Sequence, residues 1–419
     1  MKREQFLKYD KQFSRRDFLK TGSAATLMTA LGGVPLLAAP GPTTPPVRSQ
    51  SAALRVLAAY RAELDRFRKE FGGVRDLPDT RFFLFGMGPR AKLLYRAGRL
   101  VRATDGRELR SWNVQSDFIL PSACTVLIRD ADGRQTLIWE DEKAVWIDAG
   151  GRREAVEGTR APVRLPSFAG HRYAAILRVL HQELLVNVLE GQPVPNFFVY
   201  PKPWYRDGAM MGLVFKATGN LDVIRGWVLN LKEPYDRNNA GETEADNLGQ
   251  ALFLISLVSD KSHPLVSRIL AEVPRFEVRG PAGQFIKGRS DFAEHAAYQT
   301  KWLKFGLRAL DLPDLYTVPD VPDSYSALFW MDYKDTYVKG KDMDDRADYP
   351  YLGWACDHFH GLKRSPISNR DYPLTWERNA SQANYEGMKL VAPEFTQRRL
   401  CAPHTWHAAE VFLYALRLP

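Results

Sequence analysis

The residues best equipped for chemistry lie between Pro203 and Gln250, in the stretch PWYRDGAMMGLVFKATGNLDVIRGWVLNLKEPYDRNNAGETEADNLGQ. It opens on Trp204-Tyr205-Arg206-Asp207, followed at once by the apolar positions Met210, Met211, Val214 and Phe215. That spacing predicts a helix with one buried face and puts Asp207 near the positive end of its dipole. A second helix is expected from Leu221 to Leu231, after the Gly219-Asn220 break. An Asn- and Gly-rich loop then carries Glu242, Glu244, Asp246 and Asn247 to the head of a third. Acids, an arginine, a tryptophan and an amide at two helix starts suggest a polar pocket for acid–base work on one rim of a helical toroid. Taken alone, the Trp204–Asp207 cluster reads equally well as a salt bridge capping a helix, with Trp204 in the core.

The W-x-R-D cluster at a helix start, with acidic clusters heading later helices, resembles the six-hairpin, (α/α)6-barrel glycosidases of the glucoamylase type. The likeness covers roughly residues 170 to 419 by layout and only the WYRD cluster by motif. It implies a mainly α fold, an (α/α)6 toroid with an N-terminal antiparallel β region. It also implies that Arg206 and Asp207 hydrogen-bond hydroxyls of the sugar whose bond is cut.

The elements that must position these residues follow from periodicity. Ala52 to Phe71 carries apolar residues at helical spacing, with charges on the other face. From Thr80 to about Arg164 the period changes to that of an antiparallel β region. Strands are expected at Phe82–Phe85, Lys92–Ala103, Leu109–Leu120 and Thr125–Trp139, with turns at Ala97-Gly98, Asp105-Gly106 and Asp132-Gly133. Phe85-Gly86-Met87-Gly88 lacks the context of a phosphate loop and reads as a turn. From Ala174 helices dominate: Ala174–Leu189, Asp207–Ala217, Leu221–Leu231, Asp246–Val258, Pro264–Val273, Glu294–Leu310, Tyr325–Met331, Pro350–Phe359, Ala380–Lys389 and His404–Leu416. No helix is apolar all round, which favours a helical barrel over a membrane bundle. Alternate helix starts of a toroid line one mouth. Polar clusters gather at those starts, around 204–207, 241–247, 290–302, 348–361, 372–381 and 403–410.

Glycoside hydrolysis needs two carboxyl groups, roughly 6.5–9.5 Å apart in inverting enzymes. Asp291 and Glu244 are the candidates for the acid; the resemblance places the acid near Asp291. Glu377, beside Trp376, is the candidate base, at a late position similar to that of the superfamily's base. Glu410 is its rival, although on one helical face with His404 and His407 it reads better as a buried bridged carboxylate. Trp204, Trp302 and Trp376 are expected to stack on sugar, with Arg206, Asp207, Glu242, Asp246, Asn247, His404 and His407 binding its hydroxyls. A lyase reading of the same toroid would use Asn247, Tyr298 and His404, and a third reading is a non-catalytic glycan-binding or envelope-assembly protein. Asp357-His358-Phe359-His360 and His404-Thr405-Trp406-His407 lack the i, i+4 zinc spacing, so no metal or other cofactor is expected. A GxSxG elbow is absent too.

The chain of 419 residues is long enough for a large core and for one or two domains. Its net charge of +9 is concentrated at the front: the first forty residues hold seven Lys or Arg and three acids, leaving about +5 for the rest. No basic block interleaved with aromatics supports nucleic-acid binding. Cys124, Cys356 and Cys401 have no CxxC spacing and are odd in number, so they read as small buried residues or one optional disulfide, not a disulfide framework.

Ser14-Arg15-Arg16-Asp17-Phe18-Leu19-Lys20 closely resembles the twin-arginine export motif, and the weakly apolar run from Thr21 to Ala39 is too short and too small in side chain for a membrane span. The resemblance implies passage through the twin-arginine translocase to the periplasm or beyond, without a lasting membrane anchor. The expected organisation is a signal peptide over 1–40, a Pro- and Thr-rich linker over 41–50, the N-terminal helix and β region over 51–165, and the catalytic toroid over 166–419.

Overall fold

In a computed structural model of the protein, residues 47, 49–71, 76–237, 241–281, 283–290, 293–319, 321, 367–380 and 383–418 are described. The signal, the linker, Asp291, Cys356, the Asp357–His360 stretch and the helices expected at Tyr325–Met331 and Pro350–Phe359 lie outside these residues.

Helix α1 (Gln50–Phe71) buries Ala53, Leu57, Tyr60, Leu64 and Phe67, a three-four spacing that makes one apolar stripe. Its polar side grips a distant segment: the Tyr60 hydroxyl donates to the Asp371 carbonyl at 2.6 Å, and Arg68 donates to the Ser368 carbonyl at 2.6 Å. Two antiparallel sheets follow, with every strand beside its neighbour in sequence. The first holds β1 (Phe82–Phe85), β2 (Leu93–Arg96), β3 (Arg99–Arg102) and β4 (Glu108–Ser111). The second holds β5 (Val114–Leu120), β6 (Thr125–Asp130), β7 (Gln135–Glu140), β8 (Val145–Ala149) and β9 (Arg152–Ala155). The turns expected at Ala97-Gly98 and Asp132-Gly133 join β2 to β3 and β6 to β7.

The glycine run after β1 is a turn that binds an anion of the protein's own. Gly86 and Met87 donate their N–H groups to the Glu140 carboxylate at 2.9 and 2.6 Å, and Arg90 pairs with it at 2.7 Å, both side chains fully buried. Gly86 has φ +98°, and a Cβ there would lie 2.1 Å from the Ala91 carbonyl oxygen, so only glycine fits.

The helical part comprises α2 (Ala174–Leu185), α3 (Tyr205–Thr218), α4 (Asp222–Leu229), α5 (Asp246–Ser256), α6 (Pro264–Glu272), α7 (Ala296–Ala309), α8 (Pro393–Gln397) and α9 (Thr405–Leu416). Short two-stranded pieces are interspersed: β10 (Val188–Leu189) with β11 (Gln192–Pro193), β12 (Glu277–Gly280) with β13 (Gly283–Ile286), and β14 (Arg289–Ser290) with β15 (Ala293–Glu294). The last, β16 (Glu377–Arg378) with β17 (Leu400–Cys401), sets Glu377 opposite Cys401.

The expected (α/α)6 toroid is corrected. Among the described residues 38% are helical and 22% are in strands, with a β-sandwich-like N-terminal region, so the fold is mixed α and β. Packing order does not follow chain order either, because α9 lies against both α2 and α3, α3 against α5, and α5 against α7. Over its described residues Ala380–Lys389 is not a helix: 383–385 are irregular, a 3-10 turn runs over Glu386–Leu390, and Pro393 starts the short α8. Local periodicity marks each helix, whereas ring closure is a long-range property that periodicity does not carry.

The α5–α7 crossing is unusually close, because glycine faces glycine. A Cβ on Gly249 would lie 2.2 Å from the Trp302 carbonyl carbon, and one on Gly306 would lie 2.4 Å from the Gly249 oxygen. This approach brings Gln250 to the Tyr298 hydroxyl, Nε2 to oxygen 3.3 Å. Gly249→Ala forces backbone against backbone and is expected to cost about 3 kcal/mol, read as a lower urea midpoint at unchanged m-value.

Candidate active site

Four helix starts meet. Thr405, at the head of α9, donates its hydroxyl to Asp207 Oδ1 in the first turn of α3 at 2.8 Å. Arg206 reaches the start of α5, with Nη2 3.0 Å from Glu244 and Nε 3.0 Å from Asp246. Asp246 also accepts from Ser290 at 2.6 Å and from Gln250 at 2.8 Å, and Gln299 in the first turn of α7 donates to Ser290 at 2.9 Å. Each start offers N–H groups and positive dipole ends, which is why carboxylates tolerate burial there.

Glu377 enters from β16. Its Oε2 accepts from the Tyr200 hydroxyl at 2.9 Å and from His404 Nε2 at 3.0 Å, with Cys401 Sγ 4.0 Å away. No described residue donates to its Oε1, and none donates to Asp207 Oδ2. Two buried carboxyls thus each have one oxygen anchored and one uncommitted. Burial raises the Asp207 pKa, opposed by the His404 charge, the Thr405 hydrogen bond and Arg206, and reinforced by the Glu377 charge. Burial alone would lower His404, but the charge and hydrogen bond of Glu377, with the Asp207 charge, carry it above its ordinary value. Burial and the His404 charge drive His407 well below its ordinary value, so it is neutral.

The other residues singled out from the sequence are placed as follows. Trp376 is buried with its ring 5.9 Å from His407. Trp204 is half-buried, 5.2 Å from the Tyr200 ring. Asn247 Oδ1 accepts from the Asp236 N–H at 3.2 Å. Glu242 is exposed and faces Arg289 at 3.8 Å. Trp302 is fully buried between Phe253 and Phe305 in the α5–α7 interface, which is a core position and not a stacking platform. Glu410 is buried in α9. Among the described residues no group of three or more His, Cys, Asp or Glu side chains is arranged to hold a metal ion.

Sequence reasoning missed Tyr200, Thr405 and Asp236. Asp236, half-buried before α5, accepts the Tyr205 N–H and so caps α3 from outside its own chain segment, where Trp204 supplies no cap. Burial pushes its pKa up to about 7, against the pull of that N–H and of Arg206. A folded-state pKa above the unfolded one means that the native state holds the proton longer, so stability falls as pH rises from about 4 to about 7. Asp236→Asn keeps an acceptor for the cap and is expected to flatten that decline. Asp236→Ala loses the cap and about 1 kcal/mol, both measured by denaturation across pH.

Residues 12–32 match the TAT (twin-arginine translocation) pathway signal sequence family. The protein is exported across the membrane by the twin-arginine translocase, to the periplasm or beyond. No helix among the described residues is long and apolar enough to cross a membrane. No curated protein and no solved structure matches the chain.

Proposed function

We propose that the protein is an exported glycoside hydrolase that cleaves an oligo- or polysaccharide with a pair of carboxyl groups. The observation that carries this reading is that Asp207 and Glu377, whose charges both act on His404, are each buried, each anchored by one oxygen and each with the other uncommitted. Glu377 acts as the base: two donors fix Oε2, and Oε1 takes the proton of an attacking water. Asp207, lifted by burial, is the described carboxyl suited to hold a proton for the leaving oxygen, with Asp291 the further candidate from outside the described residues. Glu244 is engaged by Arg206 and serves the framework. Trp204, half-buried beside Tyr200, offers an apolar face to a sugar, while Trp376 is buried against His407.

Elimination from a uronic-acid polymer requires a free group to neutralise the substrate carboxylate. Arg206 is engaged by Glu244 and Asp246, Asn247 by Asp236 and Gln250, and His404 by Glu377, so each neutraliser that chemistry would draw on is already partnered, which favours hydrolysis. The test is a panel of neutral and acidic oligosaccharides scored for new reducing ends and for ultraviolet-absorbing unsaturated products. Reducing ends that vanish in Glu377→Gln and Asp207→Asn support hydrolysis; an absorbing product, or binding without any cleavage, refutes it. The first-formed anomer, read by NMR, is expected to be inverted.

A further inference from the structure

Glu183 is fully buried in α2 and has no part in the chemistry above. Its Oε1 accepts from the Leu374 N–H at 2.5 Å and its Oε2 from the Thr375 hydroxyl at 2.6 Å. Thr375 in turn touches the backbone of His404 twice: its Oγ1 accepts the His404 N–H at 3.2 Å and lies 3.2 Å from the His404 carbonyl oxygen. Two residues beyond Thr375 comes Glu377, and His404 Nε2 meets Glu377 Oε2 at 3.0 Å. One buried carboxyl therefore ties together the two strands of chain that carry the base and its imidazole partner. We propose that Glu183 is a positioning residue of this site, which through Thr375 fixes the Glu377–His404 pair.

A buried acid in an apolar helix is costly unless its hydrogen bonds are used. Burial raises Glu183 to about 8, against the pull of the Thr375 and Leu374 donors, so it holds its proton at neutral pH. The titratable groups facing it are Tyr60 of α1 and Tyr372, both strongly raised by burial and neither positively charged. Protonated, the carboxyl donates to Thr375 Oγ1, and the threonine hydroxyl turns to the His404 carbonyl. Ionised, the carboxylate accepts the hydrogen bond of the threonine hydroxyl and that carbonyl loses its donor. In both states Thr375 Oγ1 accepts the His404 N–H, so the link to the imidazole's backbone survives the titration. An alkyl side chain at 183 makes neither bond, whereas an amide reproduces only the protonated arrangement, its oxygen accepting from Leu374 and its N–H donating to Thr375 Oγ1.

The test follows His404, which is faced by Glu377, Asp207 and His407. In full-length protein with labelled histidine, the imidazole titrations are recorded by NMR, and His404→Gln assigns one of the eight histidines. Glu183→Leu and Thr375→Val are expected to lower the His404 pKa by about one unit as its contact with Glu377 loosens, with Thr375→Ser restoring it. On a cleaved glycan, kcat is expected to fall about tenfold with KM within about twofold, since the base is misaimed and not the sugar site. Folded variants, judged by near-ultraviolet dichroism, with an unchanged His404 titration overturn the proposal. If Glu183→Leu does not fold, the Thr375→Val and Thr375→Ser pair decides. The kinetic half rests on the hydrolase reading; if no glycan is cleaved by the native protein that reading falls, while the His404 titration still judges Glu183.

Discussion

Glu377→Gln is expected to lower turnover of a cleaved glycan about a thousandfold while leaving its binding within a few-fold of native. The magnitude is that of one general base, on the order of 10²–10⁴ in rate, or roughly 4 kcal/mol at about 1.4 kcal/mol per tenfold. Glutamine keeps the volume of a nearly buried side chain and retains one oxygen to accept from Tyr200 or His404, so the fold is not at issue. What it removes is the negative charge and the lone pair that takes a proton from water. The same substitution carries a second readout that does not depend on finding the substrate. His404 is held above its ordinary value by the Glu377 charge and hydrogen bond, so in Glu377→Gln burial wins and the imidazole pKa drops. A drop in the His404 titration with full catalytic activity on the responsive glycan would place Glu377 in the framework and leave the chemistry to other carboxyls. Loss of both turnover and binding would point to a ligand-binding cavity collapsed by the change.

Several residues of the candidate site stand out in the sequence, whereas the architecture around it does not. Asp207 was readable because an acid in a first helical turn is favoured there, and Met210, Met211, Val214 and Phe215 fix the phase of that helix. His404 and His407 were readable for the same reason, since Thr405–Leu416 is strongly apolar and its start is unmistakable. The error over the toroid came from counting helices. Each helix was marked by its own period, but the position of α9 between α2 and α3 rests on contacts across about two hundred residues, which leave no local trace. Trp302 shows how one residue can mislead. It lies on α7 one turn beyond Tyr298, which does reach the Asp246 network through Gln250. Only Gly249 and Gly306, by letting two backbones close, drive Trp302 into the core. Tyr200 and Glu183 were invisible for opposite reasons. Tyr200 sits in an irregular stretch without a period, and Glu183 sits in a helix buried on nearly every face, so its carboxyl looked like an ordinary polar position.

Arg206→Ala is expected to destabilise the protein by about 3–5 kcal/mol, the largest stability loss of any single change at the helix starts. The guanidinium is 8% exposed and stands between Glu244 at 6% and Asp246 at 0%. Such a triad contributes little net energy while complete, because desolvating three charges offsets most of their attraction. Its removal is costly for a different reason: two carboxylates remain, close together and out of water, with only Ser290 and Gln250 still donating to Asp246. Arg206→Lys is no remedy, since one ammonium cannot reproduce separate Nε and Nη2 bonds to two acids in a fixed plane. The cause can be isolated by removing the charges that the arginine leaves behind. Arg206→Ala combined with Glu244→Gln and Asp246→Asn is expected to recover about half of the lost stability in denaturant titrations, although more groups have been changed. If the triple variant is instead less stable than Arg206→Ala by the sum of the single effects, the loss comes from packing around the arginine stem and not from stranded charge. Recovery would mean that Arg206 is what permits the starts of α3 and α5 to bring Asp207, Glu244 and Asp246 together.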